Sequence, residues 1–118
     1  MTFLCAQGCG LMQLYDVGMT SMFVQEAFAL ADLAEIIGRP PELSTFLRTR
    51  GKEMAQKISQ HLWHEELGTF VNRFSADHNG GVFYPHVSPT SFYGLQAKAA
   101  TDAQATRMVR SKQQRVSS

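Results

Sequence analysis

Apolar positions recur at three- and four-residue steps from Met19 to Ile37: Met19, Met22, Phe23, Ala27, Leu30, Ala34 and Ile37. That period predicts an amphipathic helix. Thr20 and Ser21 are its candidate caps. Gly38 suits the left-handed position just beyond its end, and Pro40-Pro41 forbid continuation. A second stripe, Leu43, Phe46, Leu47, Met54, Ile58 and Leu62, predicts a helix starting at Pro41 or Glu42 and ending near His61. Gly51 weakens its middle by about 1 kcal/mol relative to alanine. So short a connection predicts an antiparallel helical hairpin.

Beyond Leu62 the pattern changes. Gly68 is expected to close the helical stretch. Thr69-Phe70-Val71 and Val82-Phe83-Tyr84 favour extended structure, and Ser75 to Gly81 between them is a strong turn signal. The reading is a short two-stranded excursion. Ser88-Pro89-Thr90 has the form of a helix start, with Ser88 as cap, and predicts a helix to about Ala100. Thr101 and Gln104 form a capping-box pattern ahead of a last helix through Met108 and Val109. Ser111 to Ser118 is polar and expected to fray.

At 118 residues the chain is long enough for one small domain. Its 44% apolar and 18% charged residues exclude disorder throughout. Eleven Lys and Arg against ten Asp and Glu leave a net charge of +1, which argues against a strongly basic nucleic-acid binder. No apolar run reaches the roughly 20 residues of a membrane span. The N-terminal MTFLCAQGCGLM has no Lys or Arg before Arg39 and lacks the charged start of a secretory signal, so a cytoplasmic location is the default. Cys5 and Cys9 read as free thiols of a reducing compartment.

Five segments together resemble the six-hairpin glycosidases. They are YDVGMTS (Tyr15 to Ser21), ALADLAEIIGR (Ala29 to Arg39), LWHEELGTFVNRF (Leu62 to Phe74), SPTSFYGL (Ser88 to Leu95) and AQATRMV (Ala103 to Val109). Their order and spacing are similar to those of glycoside hydrolase family 63 and the mannosylglycerate-hydrolase-like enzymes, and more distantly to trehalases. The resemblance covers residues 15–110, leaving 1–14 as an unmatched N-terminal segment and 111–118 as an unmatched polar tail. It implies an all-α fold, a piece of an (α/α)6 toroid of about two helical hairpins with a short β excursion. It also implies inverting hydrolysis of O-glycosidic bonds in glucosyl or mannosyl compounds. Inversion uses two carboxyl groups about 6.5–9.5 Å apart.

The sequence departs from that family pattern in places. The family's general acid is an Asp shortly before the YDVGMTS-like segment, where Met1 to Leu14 contain no acidic residue. Its general base is a Glu further along the barrel than the matched segments. The family also carries a proline where Gly94 stands. No catalytic residue is therefore assigned, and the chain alone is expected to be inactive. The resemblance places Asp16, Asn72, Arg73, Phe92 and Tyr93 near the sugar. It implies a carbohydrate partner; no cofactor, metal, nucleic acid or membrane partner is expected. Self-association through exposed apolar helix faces is a further expectation. The rival reading is a small helical protein-interaction module without catalysis.

Other constellations read as structural. Glu65-Glu66 are helix neighbours about 100° apart and do not face one another. His61 and His64, even with Cys5, Cys9, His78 or His86, lack a recognised zinc spacing. Asp77-His78-Asn79-Gly80 begins like a calcium loop but lacks the closing Glu. Ser88 and Ser91 sit in no nucleophile motif. Arg107, Arg110, Lys112 and Arg115 read as a solvated helix end.

Overall fold

A computed structural model describes residues 13–77 and 79–117. The first element is a short strand, β1 (Leu14–Tyr15), and it leads directly into α1 (Val17–Ile36). The cap of α1 is Asp16, four and five residues ahead of the expected Thr20 and Ser21. Its carboxylate accepts from the Met19 N–H at 2.8 Å. Gly38 takes φ 72 just past the end, as expected, and α2 (Pro41–His61) runs back alongside.

The hairpin packs through small residues. Ala27, Ala31 and Ala34 of α1 are buried, as are Ser44, Gly51 and Ile58 of α2 at seven-residue steps. A Cβ on Gly51 would stand 3.1 Å from the Phe28 ring and 3.4 Å from the Ala27 Cβ, so the glycine allows a close approach of the two helices. The large members of the expected stripes lie outside instead. Met19, Met22, Phe23, Leu30, Leu43 and Phe46 are exposed. Periodicity locates an apolar stripe but not which of two apolar sides faces the neighbour; here small size decides it.

On the opposite rim, Arg48 donates to Asp32 at 2.6 Å and to Glu35 at 3.0 Å. These two carboxylates raise the guanidinium above its ordinary pKa.

The β excursion is richer than two strands. β2 (Trp63–His64) and β3 (Thr69–Phe70) form a hairpin around Gly68, which takes φ 63. β4 (Asn72–Phe74) is the centre of an antiparallel three-stranded sheet between β1 and β5 (Phe83–Tyr84). The β1–β4 pairing spans more than 50 residues, beyond the reach of any local signal. Gly68 therefore closes a hairpin turn, and the helix itself stops at His61.

A 3-10 turn, Pro89–Phe92, opens α3 (Tyr93–Gln96). Ser88 and Ser91 cap it reciprocally, with the Ser88 N–H donating to Ser91 Oγ at 3.2 Å. The helix stops short of Ala100 because Lys98 turns to φ 56. The expected Thr101–Gln104 box opens α4 (Asp102–Ser117). Helix continues through the polar stretch from Ser111 to Ser117 rather than fraying.

The core gathers Val17, Val24, Ile58, Leu62, Phe70, Ala97, Ala99 and Met108. It lies on one side of the hairpin only. The molecule is a slab 49 × 42 × 19 Å with a radius of gyration of 16.2 Å. A compact chain of this length has about 13–14 Å. α1 is thus flanked by its core on one side and presents large apolar side chains on the other, the pattern of a helix built to be covered all round.

Candidate functional site

The antiparallel pairing of Leu14 with Phe74 and Tyr15 with Arg73 brings Asn72 to the first turn of α1. Asn72 Oδ1 accepts from the Val17 N–H at 2.9 Å, and its Nδ2 donates to Asp16 Oδ2 at 3.2 Å. Thr20 Oγ1 donates to the Asp16 carbonyl at 2.6 Å. The start of α1 is therefore satisfied by two side chains from distant parts of the chain.

Gly18 extends this cluster. A Cβ there would lie 3.1 Å from the Thr90 Cβ and 3.2 Å from Asp16 Oδ1. The SPT segment thus rests directly on the first turn of α1, and Thr90 Oγ1 lies 2.7 Å from Ser88 Oγ. A carboxylate, an amide and two hydroxyls meet at one end of α1. Thr90 and Gly18 were not singled out by sequence reasoning; the glycine inside YDVGMTS was the available signal.

Arg73 points to the other face of its strand, as strand alternation requires. Its Nε donates to the Gly81 carbonyl at 2.6 Å and its Nη1 to the His61 carbonyl at 3.1 Å. Its guanidinium carbon stands 4.7 Å from the Phe83 ring centroid. Arg73 therefore ties the β4–β5 turn to the end of α2. Phe92 follows the SPT segment and packs against the core, with Lys112 Nζ 5.5 Å from its ring centroid. Tyr93 is half-buried at the start of α3. The structure joins Asp16 to Asn72 and links Phe92 and Tyr93 to them through Thr90. Arg73 is separate.

Glu65 has a different partner set from its neighbour. Its carboxylate accepts from the Trp63 indole N–H at 2.7 Å, and Arg107 binds both its carboxylate and its carbonyl. The Trp63 hydrogen bond, then Arg107, lower its pKa from the ordinary glutamate value. This group fastens α4 to the β2–β3 hairpin. A Cβ on Gly68 would stand 3.1 Å from both Arg107 Nε and Ser111 Oγ, so the same turn accepts α4 closely.

Among the described residues, no three His, Cys, Asp or Glu side chains are grouped to hold a metal ion. His64 Nδ1 accepts from the Leu67 N–H at 3.3 Å, and its ring meets Phe83 edge-on. Cys5, Cys9 and His78 lie outside the described residues. A shallow depression of about 480 Å³, lined by Asp102, Ala103, Thr106, Arg107 and Arg110, lies on α4 and includes none of the five candidates. None of the described helices is long and apolar enough to cross a membrane.

Residues 5–116 match the sequence model of the mannosylglycerate hydrolase MGH1-like glycoside hydrolase domain. No curated protein is matched by the chain. The match runs through the helical hairpin, the β excursion that carries Asn72 and the segment that carries Thr90 and Phe92. With nearly the whole sequence covered, this chain belongs to the MGH1-like glycoside hydrolase domain family.

Proposed function

We propose that this domain binds a glucosyl or mannosyl compound at the N-terminal end of α1 and does not hydrolyse it unaided. The observation that carries the reading is the Asp16–Asn72–Thr90 cluster, with Phe92 and Tyr93 following it in the chain. Amide, carboxylate and hydroxyl groups match the donors and acceptors of sugar hydroxyls, and aromatic rings supply apolar faces. The family name points to mannosylglycerate as the first compound to try.

The geometry argues against unaided hydrolysis. Asp16 is the carboxylate of this cluster, and both of its oxygens accept hydrogen bonds as part of a helix cap. Inversion requires a second carboxyl about 6.5–9.5 Å away across a water. The groups gathered beside Asp16 are an amide and hydroxyls.

The test is an NMR titration of the full chain with mannosylglycerate and with methyl glucoside, alongside an assay for free sugar. The expected result is shifts in the amides of Asn72, Thr90 and Phe92 without sugar release. Release of sugar overturns the inactive half of the reading. Absence of any shift at millimolar ligand overturns the binding half.

A further inference from the structure

We infer that Tyr84 is the sugar-stacking residue of the domain: its ring takes the C–H face of a pyranoside whose hydroxyls meet Asn72 and Asp16. The inference rests on the reading of that cluster as a sugar site, and it adds the group that selects a cyclic sugar.

The three-stranded sheet sets the arrangement. Asn72 pairs with Tyr84 across β4 and β5, and Tyr15 pairs with Arg73 across β1 and β4. One step further along, the second register puts Asp16 opposite Asn72, where the 3.2 Å bond from Asn72 Nδ2 to Asp16 Oδ2 is found. Residues directly opposite in an antiparallel pair share a face, with Cβ atoms about 4.5–5.5 Å apart. Asp16, Asn72 and Tyr84 therefore form one row across the sheet, a carboxylate, an amide and an aromatic ring side by side. Strand alternation sends Tyr15, Arg73 and Phe83 to the opposite face.

The chain after β5 leads from one end of this row to the other. Tyr84 stands at the outer end, and Thr90 rests on Gly18 beside Asp16 at the inner end. The row and the segment that follows it thus frame a single patch.

Hydrogen-bonding capacity remains in the row. Among the described residues, Asn72 Nδ2 spends one of its two N–H groups on Asp16, and Oδ1 accepts once, from Val17. The Asp16 oxygens accept from Met19 and Asn72 and keep further lone pairs. Neighbouring sugar hydroxyls, each both donor and acceptor, match these free positions.

A pyranose also carries a patch of C–H groups, which needs a flat apolar partner. Tyr84 is half-buried and braced on two sides. The Phe74 ring lies 6.3 Å from it at 85°, and the His86 ring lies 6.1 Å away at 40°. A ring held in this way offers contact area at little cost in entropy. Phe92, by contrast, packs on the core and has Lys112 Nζ 5.5 Å from its ring centroid. Tyr84 is the ring that shares the row with the polar groups.

The experiment is an NMR titration of the full chain, and of Tyr84→Ala, Tyr84→Phe and Tyr15→Ala, with methyl glucoside and with sorbitol. Sorbitol carries similar hydroxyls but no ring. Far-UV circular dichroism verifies that each variant keeps its helix content. In the wild type, nuclear Overhauser contacts are expected between the Tyr84 ring and the C–H protons of methyl glucoside. Tyr84→Ala is expected to weaken binding about three- to tenfold, the worth of one aromatic contact. Tyr84→Phe, which keeps the ring, and Tyr15→Ala, on the opposite face, are expected to bind as the wild type does. Sorbitol is expected to bind more weakly than methyl glucoside.

Wild-type shifts at Asn72 and Thr90 without Overhauser contacts to Tyr84 overturn this inference and leave the sugar reading standing. So do unchanged affinity in Tyr84→Ala, a loss as large in Tyr84→Phe or Tyr15→Ala, or equal affinity for sorbitol. Absence of any wild-type shift at millimolar ligand overturns the sugar reading and this inference with it.

Discussion

Asn72 and Asp16, separated in sequence by both helices of the α1–α2 hairpin and by the β2–β3 hairpin, close the first turn of α1 as one unit. Asn72 Oδ1 takes the Val17 N–H while its Nδ2 holds the carboxylate that takes the Met19 N–H. Removing either partner leaves a helix-start donor without its protein acceptor. Asp16→Ala and Asn72→Ala are each expected to lower stability by about 1–2 kcal/mol. The double variant is expected to lose less than the sum, because the two side chains support each other. Urea melts of the four proteins measure the coupling. Strict additivity would show that the Asp16–Asn72 hydrogen bond contributes nothing.

Gly94 is held to glycine by Phe70. A Cβ at position 94 would stand 2.7 Å from Phe70 Cδ2 and 2.8 Å from Cε2, and that ring is fully buried with Trp63 edge-on against it. Gly94→Ala is expected to cost about 1–3 kcal/mol, the range for overpacking a filled core. At roughly 4 °C per kcal/mol the loss is readable in a thermal melt. Combining it with Phe70→Leu should recover part of the loss. A Gly94→Ala protein as stable as the parent would contradict the packing described.

Glu65 gives α4 a pH dependence of definite sign. Its pKa is lower folded than unfolded, so its contribution is complete above the ordinary glutamate value of 4.5 and is lost as pH falls through the lowered one. Trp63 donates to this carboxylate, so indole fluorescence reports the step. The expected record is a change in Trp63 emission below pH 4.5 that is missing in Glu65→Gln. An identical acid transition in Glu65→Gln would assign the step to another group.

The parts of this fold that were legible in the residues are those set by nearby chain. Gly38 after α1, Pro41 at the start of α2, Ser88 as the cap ahead of Pro89 and the Thr101–Gln104 box are each decided within a few positions, and each occurs as read. The features that were not legible depend on distant partners. Asp16 displaces Thr20 and Ser21 as the cap because β1 pairs with β4 and delivers Asn72. Exposure of Met19, Met22 and Phe23 follows from helix packing through alanine and glycine, which an apolar period alone does not reveal. In the candidate site, the five residues were named from matched segments. Their division into Asp16 and Asn72 on one side of β4 and Arg73 on the other follows from strand alternation once the strand is placed.

Met108 is the one described side chain of α4 that is fully withdrawn from water. The rest of that helix is secured by Gln104, Arg107 and Lys112 at exposed or half-exposed positions. Segments with so little apolar anchorage open first in native-state exchange. Deuterium should therefore enter the amides of α4 well before those of the α1–α2 hairpin, and proteases should clip the last helix while the remainder still stands.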